Sequence, residues 1–162
     1  MQNLILIGSV KFLHDLFTVM WIGGMIIMAA VILPSVKKQL GPGPEAKKLI
    51  ATMKSKLSML TYISMIGLLV TGLLLSNSSP LFTGYLDTST QYSLLLTVKH
   101  IVIALMVLIS LFRSLGIERM NLEGPKEQKL GAVLLLINVI LGISILLISG
   151  LLGAESIIAA LP

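Results

Sequence analysis

The sequence predicts an all-α polytopic membrane protein: an up-down bundle of four transmembrane helices with both termini outside. Composition, four long apolar runs and the distribution of the basic residues predict it. Of the 162 residues, 56% are hydrophobic and 12% are charged, whereas a soluble domain carries about 25% charged residues. A soluble fold of this length cannot bury four apolar runs of membrane-spanning length, so lipid is the expected solvent and partner. A soluble enzyme, a disordered tail and a nucleic-acid-binding protein are therefore excluded.

The helices are predicted from the apolar runs and from the Gly and Pro residues between them. They cover about 4–36, 45–76, 91–115 and 126–153 of a single domain, 1–162. Gly41 interrupts the first helix, and Pro44 suits the first turn of the second. Gly124 and Pro125 repeat this arrangement before the fourth helix. Because a spanning segment must satisfy its own backbone polar groups, helices are favoured over strands.

The basic residues predict the orientation. Ten of the twelve Lys and Arg residues lie in or beside the two loops that join the first helix to the second and the third to the fourth. The opposite loop contains one acid, Asp87, and no base. By the positive-inside rule, both basic loops are expected in the cytoplasm, with both termini outside the plasma membrane.

Ionisable residues inside apolar spans are candidates for function. They are Lys11, His14 and Asp15 in the first helix and Lys99 and His100 in the third. These helices are expected to run parallel on a diagonal of the bundle, and they carry the only two histidines. A b-type haem takes one axial nitrogen from each side. We therefore expect one haem b per chain, with His14 and His100 as iron ligands. Lys99, about 100° round the helix from His100, is an alternative ligand or a partner for a propionate.

Other residues extend this hypothesis. Trp21 follows His14 on one helix face, which continues through Met25 and Met28. Lys11 is expected near the outer surface, where it would meet a propionate. Asn138, at mid-span in the fourth helix, either hydrogen-bonds a cofactor substituent or belongs to a packing seam.

Polar residues of the second helix and aromatic residues of the outer loop are assigned structural roles. Thr61, Ser64 and Thr71 share a face of the second helix, and we expect a packing seam with interhelical hydrogen bonds. Phe82, Tyr85 and Tyr92 are interpreted as aromatic residues of the membrane interface rather than as a lid over a cofactor.

The leading functional hypothesis is a small membrane cytochrome b. It would transfer electrons between a membrane quinone or a redox partner protein and the outer face. The residues leave open whether the chain is an enzyme, and no catalytic residue is assigned. The alternative is copper transport, with copper in place of haem, because thioethers within the spans could bind Cu(I). An assembly or anchoring subunit is a third reading, and association with a second copy is open.

Short motifs also resemble a known family. The first helix, LHDLFTVMWIGGMIIMAAVILP, is similar to that of the copper-resistance D (CopD)-like superfamily, as are GLLVTG at 67–72, the lysine of the third helix and Asn138. The resemblance implies a four-helix membrane protein, either a copper transporter or a HemJ-type protoporphyrinogen oxidase. In the oxidases, a first-helix histidine and a third-helix lysine are the key residues, and these match His14 and Lys99. The segment SVKKQL after Pro34 lacks the arginine and histidine of the oxidase pattern, and His100 departs from it by adding a second imidazole.

Overall fold

The computed structural model describes residues 2–41, 43–116 and 124–161, and within them the regular structure is entirely helical. Helix α1 covers 2–40 and helix α3 covers 91–116. Helix α1 consists of three α-helical parts, Gln2–Thr18, Gly24–Ile27 and Leu33–Leu40, which are joined by the π-helical turns Val19–Gly23 and Met28–Ile32. Helix α2 is Pro44–Asn77 and helix α4 is Gly124–Ile158. Helix α3 is Gln91–Leu111 and continues into the π-helical turn Phe112–Gly116. All four are long and apolar enough to cross a membrane. The prediction of a four-helix, multi-pass membrane protein is confirmed at this level.

The ends of the helices follow local chemistry. Gly41 has a φ of 62°, a conformation that side chains with a Cβ disfavour, and it ends α1. Helix α2 begins at Pro44, where the missing N–H costs no intrahelical hydrogen bond. Thr90 accepts a hydrogen bond from the backbone N–H of Ser93 at 3.1 Å, which caps the start of α3. The predicted break at Gly41 and start at Pro44 are thus confirmed.

Helix α1 extends further than the sequence predicted. It continues past the predicted end at Val36 and ends at Leu40. Pro34 lies inside the helix, as predicted, two residues after the π-helical turn Met28–Ile32, in which backbone hydrogen bonds have already left the ordinary α-helical register. The missing N–H of the proline is therefore tolerated without ending the helix.

The distribution of side chains is inverted relative to a soluble protein. Large aliphatic residues line the outside of the helices, with Leu69, Leu108 and Leu147 each more than 60% exposed. Small polar residues are buried between the helices: Ser64, Thr71, Ser76, Ser93, Thr97, Ser110 and Asn138. This pattern suits a surface that faces lipid, because apolar contact with lipid costs nothing while polar groups need internal partners.

The bundle is held together mainly through α1 and α4. Helix α1 packs against α2 and α4, and α3 packs against α4, whereas α2 and α3 make few close contacts. Trp21, Ile22 and Met25 of α1 share one buried cluster with Met106 of α3 and Leu135 of α4. The weak packing between α2 and α3 leaves a cleft on that side.

Candidate functional site

His14 is held by α2 in a defined tautomer. The hydroxyl of Thr71 donates to the carbonyl of Gly67 at 2.6 Å, so its oxygen lone pairs face outward. The Nδ1 atom of His14 lies 2.9 Å from that oxygen and must therefore be the N–H donor. Nε2 consequently carries the lone pair, which is the form that binds a metal or accepts a proton.

The segment Gly67–Gly72 of α2 is shaped to receive α1. A Cβ at Gly67 would lie 2.3 Å from the ring of Phe17, and a Cβ at Gly72 would lie 3.4 Å from Cε1 of His14. The two glycines therefore give the aromatic and imidazole rings the space in which they sit. Thr71 was predicted as part of a packing seam; the structure adds that its interhelical hydrogen bond is made to His14. The GLLVTG motif shows the small residues and the threonine of this segment, but the sequence does not show that the threonine pairs with His14, because that contact depends on how α1 and α2 pack.

Lys99 faces the same part of the bundle. Its charge lies within electrostatic range of His14, Lys11 and Asp15, and its side chain is half-buried. Lys99 also shares a helix stripe with Met106, which is fully buried. This stripe is therefore the inward face of α3, and Lys99 lies on it.

His100, the next residue, faces the loop that joins α2 to α3. Its Nδ1–H donates to the carbonyl of Leu96 at 2.8 Å, so its Nε2 also carries a lone pair. The ring of Tyr85 contacts it edge-on, with ring centroids 6.0 Å apart. Phe82 packs on Tyr85 in turn, at 4.9 Å. These two loop aromatics thus cover the side of α3 that carries His100.

Lys11 and Trp21 flank His14 along α1 in very different surroundings. Lys11 forms an ion pair with Asp15, with Nζ 3.2 Å from Oδ2, and both side chains are exposed. Trp21 is only 3% exposed, and its indole Nε1 has no hydrogen-bond partner among the described residues. A buried N–H without an acceptor is uncommon and costs free energy, so Trp21 presents an unused donor on the face that carries His14.

Asn138 connects α4 to α3. Its Nδ2 atom donates to the hydroxyl of Ser110 at 2.8 Å and to the carbonyl of Met106 at 3.3 Å. Its Oδ1 atom is buried with no partner in the described part of the chain. The packing interpretation thus has direct geometric support, while Oδ1 remains available to a further donor.

The sequence-predicted site residues therefore separate into groups. The structure brings His14, Lys99, Lys11 and Asp15 into one neighbourhood, and it places His100 against the loop that joins α2 to α3. Asn138 belongs to a different level, with Ser110. Within residues 2–41, 43–116 and 124–161, there is no group of three or more His, Asp or Glu side chains able to hold a metal ion.

Comparison with known proteins gives no assignment. No family model matches the sequence, and no curated protein and no solved structure is significantly similar to it.

Proposed function

We propose that the chain is a membrane b-type haem protein in which His14 provides one axial nitrogen from α1. The observation that carries the proposal is the hydrogen bond from His14 Nδ1–H to Thr71. It fixes the ring and leaves Nε2 unprotonated inside a membrane span, which is the state that haem iron requires of a histidine. Haem b would supply one-electron redox chemistry between a quinone or a redox partner protein and the outer face.

The second nitrogen would come from α3, and two neighbouring residues qualify. Lys99 lies on the inward stripe with Met106, and its charge acts on His14. His100 has the correct tautomer but lies against Tyr85. The inward-facing stripe favours Lys99 as the second ligand, and His100 would take that place only if α3 rotated by about 100°.

Other residues would orient and enclose the group. Trp21 offers a buried indole N–H that lacks an acceptor among the described residues, and Phe17 packs into the space at Gly67. Lys11 and Asp15 are exposed and lie within one turn of His14 on α1. Lys11 would exchange its partner Asp15 for a propionate. Asn138 would contribute only through its free Oδ1.

The basic loops support an orientation within the membrane. We propose the plasma membrane, with the lysine-rich loops in the cytoplasm and the N- and C-termini outside. The lysines of that end, such as Lys37, Lys38 and Lys56, are exposed, as expected for side chains that contact the cytoplasm and anionic headgroups. The His14 site then lies in the outer half of the bundle.

Hemin titration of the purified protein in lipid nanodiscs tests this function. We expect one hemin per chain, and a loss of affinity of about tenfold or more in His14→Ala. Lys38→Ala, an exposed lysine at the opposite end, is the control and should bind as the wild type does. Comparing Lys99→Met with His100→Ala assigns the second ligand, because only loss of the true ligand removes the six-coordinate spectrum. Unchanged binding by His14→Ala would contradict the proposal.

One observation favours a second candidate, oxidation of a porphyrinogen. Lys99 and His14, the two residues that the HemJ resemblance implies, lie in one neighbourhood. Lys99 would then bind a substrate carboxylate, and the two electrons of each oxidation step would pass to a membrane quinone with release of two protons. An anaerobic assay of protoporphyrin fluorescence with added quinone tests this candidate. Oxidase activity that is lost in Lys99→Met would support this candidate. A protein that binds haem but shows no oxidase activity would exclude it and leave the cytochrome as the proposed function.

A further inference from the structure

A second polar site lies at the other end of the bundle, in the cleft between α2 and α3. Its free volume is about 50 Å³, and its polar lining includes Lys54 and Thr61 from α2 and Ser110, Arg113 and Ser114 from α3. Since one buried water needs about 10–15 Å³ of such volume, the cleft has room for three or four waters or for a group of similar size.

The two cations of this cleft differ from the other basic residues nearby. Lys54 and Arg113 are half-buried, whereas Lys47, Lys48 and Lys56 of α2 are exposed. No acid pairs with either of the two in the described ranges, where the single ion pair joins residues at the opposite end of α1. Withdrawing two positive charges from water without a counter-ion is unfavourable, so the cleft is electrostatically suited to an anion.

Hydroxyl groups complete the donor set. Ser110 is 8% exposed, and its oxygen accepts a hydrogen bond from Asn138 at 2.8 Å. Its own hydrogen has no acceptor among the described residues, so it is free to be donated into the cleft. Ser114 and Thr61 add hydroxyls at the rim. Two cations together with several O–H donors form the environment that a tetrahedral oxyanion prefers.

We propose that this cleft binds a phosphate group, supplied by the headgroup of an anionic phospholipid. The cleft lies near the lysine-rich end of α2 and the end of α3 that carries Arg113, at the level where headgroups would meet the bundle. The weak packing of α2 against α3 opens it sideways toward lipid. Arg113 and Lys54 would contact the phosphate oxygens, and the acyl chains would lie along the exposed aliphatic surface of the two helices. Free inorganic phosphate offers the same oxygens without the chains.

Native mass spectrometry of the full chain in detergent, with phosphatidylglycerol and phosphatidylcholine in competition, tests the proposal. We expect one phosphatidylglycerol to be retained in preference to phosphatidylcholine. Lys54→Gln and Arg113→Gln should each lower that preference by about tenfold, the effect of losing one charge-assisted hydrogen bond. Lys56→Gln, an exposed lysine two residues away, is the matched control and should leave the preference unchanged.

Further variants and competitors separate the outcomes. Ser110→Ala should weaken retention while keeping both charges, and Arg113→Lys should restore part of it if Arg113→Gln does not fold. Retention that excess inorganic phosphate cannot displace supports the lipid headgroup as the source. Displacement by inorganic phosphate would overturn the lipid assignment. Equal losses in Lys54→Gln and Lys56→Gln would overturn the site, because nonspecific surface charge would then explain the binding.

Discussion

The imidazole of His14 in α1 donates to the hydroxyl of Thr71 in α2 across 2.9 Å, and that hydroxyl in turn donates to the carbonyl of Gly67. This chain of two hydrogen bonds removes the freedom of the histidine to exchange tautomers. It also joins two helices, because His14 and Thr71 are 57 residues apart in the sequence. The orientation of the proposed ligand is therefore built into the pairing of α1 with α2.

Replacing Thr71 tests that relationship. Thr71→Val keeps the shape of the side chain but removes the acceptor for His14, and we expect hemin affinity to fall by about tenfold or more, as when an outer-shell partner of a metal ligand is lost. Thr71→Ser should retain most of the affinity. Thr52→Val is the matched control, because Thr52 donates to the carbonyl of Lys48 in the same way without a histidine beside it. Equal affinities for Thr71→Val and wild type would contradict this role.

Gly67 is predicted to be intolerant of a larger side chain. A Cβ there would overlap the ring of Phe17 at 2.3 Å, so Gly67→Ala should lower the free energy of unfolding by about 1–3 kcal/mol. Thermal unfolding in detergent measures this loss. Gly150→Ala, where a Cβ meets nothing within 4 Å, should be neutral or slightly stabilising. Adding Phe17→Leu to Gly67→Ala should recover part of the loss; no recovery would locate the strain elsewhere.

Asn138 is expected to hold α4 against α3. Asn138→Ala removes the hydrogen bonds to Ser110 and Met106 and should lower the free energy of unfolding by about 1–2 kcal/mol, the upper range for polar contacts within membranes. Ser144→Ala serves as the control, because the hydroxyl of Ser144 bonds only to Ile140 of its own helix. Similar stability losses for the two variants would argue against the interhelical role.

The loop that joins α2 to α3 should loosen in acid. Hydrogen bonds from the hydroxyl of Thr83, then from the hydroxyl and backbone N–H of Ser89, lower the pKa of Asp87 from 3.8 to about 2. Because the folded pKa is the lower one, the charged carboxylate stabilises the loop. That contribution is complete above about pH 4 and is lost as the pH falls through about 2.

Limited proteolysis of the loop at graded pH measures this change. Wild type should become sensitive only as the pH approaches the folded pKa, whereas Asp87→Asn should be sensitive at neutral pH and show no further acid transition. Thr97 donates to the backbone carbonyl of Asp87 at 2.8 Å, so the loosening should extend to the start of α3. Identical pH profiles for the two proteins would rule out Asp87 as the cause.

The sequence determines the number of helices well, because four apolar runs separated by Gly and Pro leave little choice in lipid. It determines their lengths less well. Helix α1 runs four residues past the predicted end at Val36 and stops at Leu40, because the charged residues Lys37 and Lys38 lie outside the apolar run but still continue the helix. Gly41 and Pro44, by contrast, act through their own backbone chemistry, and the prediction at those positions was correct.

The site is only partly predictable for a similar reason. His14 stands out as an ionisable residue in an apolar span, but its partner Thr71 emerges only when two helices pair. Lys99 and His100 are adjacent in the sequence and about 100° apart around α3. An error in the assumed rotation of the helix therefore changes which of the two is predicted to face the site. The burial of Met106 and Ser110 fixes that rotation and places Lys99 on the inward face of α3.

Haem binding at His14 is tested by one visible absorption spectrum. The spectrum of protein purified from haem-replete cells would be recorded after air oxidation and again after reduction with dithionite. We expect a Soret band and sharp reduced α and β bands of six-coordinate haem b, absent in His14→Ala and present in Lys38→Ala. A protein without a Soret band, even after addition of hemin, would contradict the haem assignment and leave copper transport or a structural role as the alternatives.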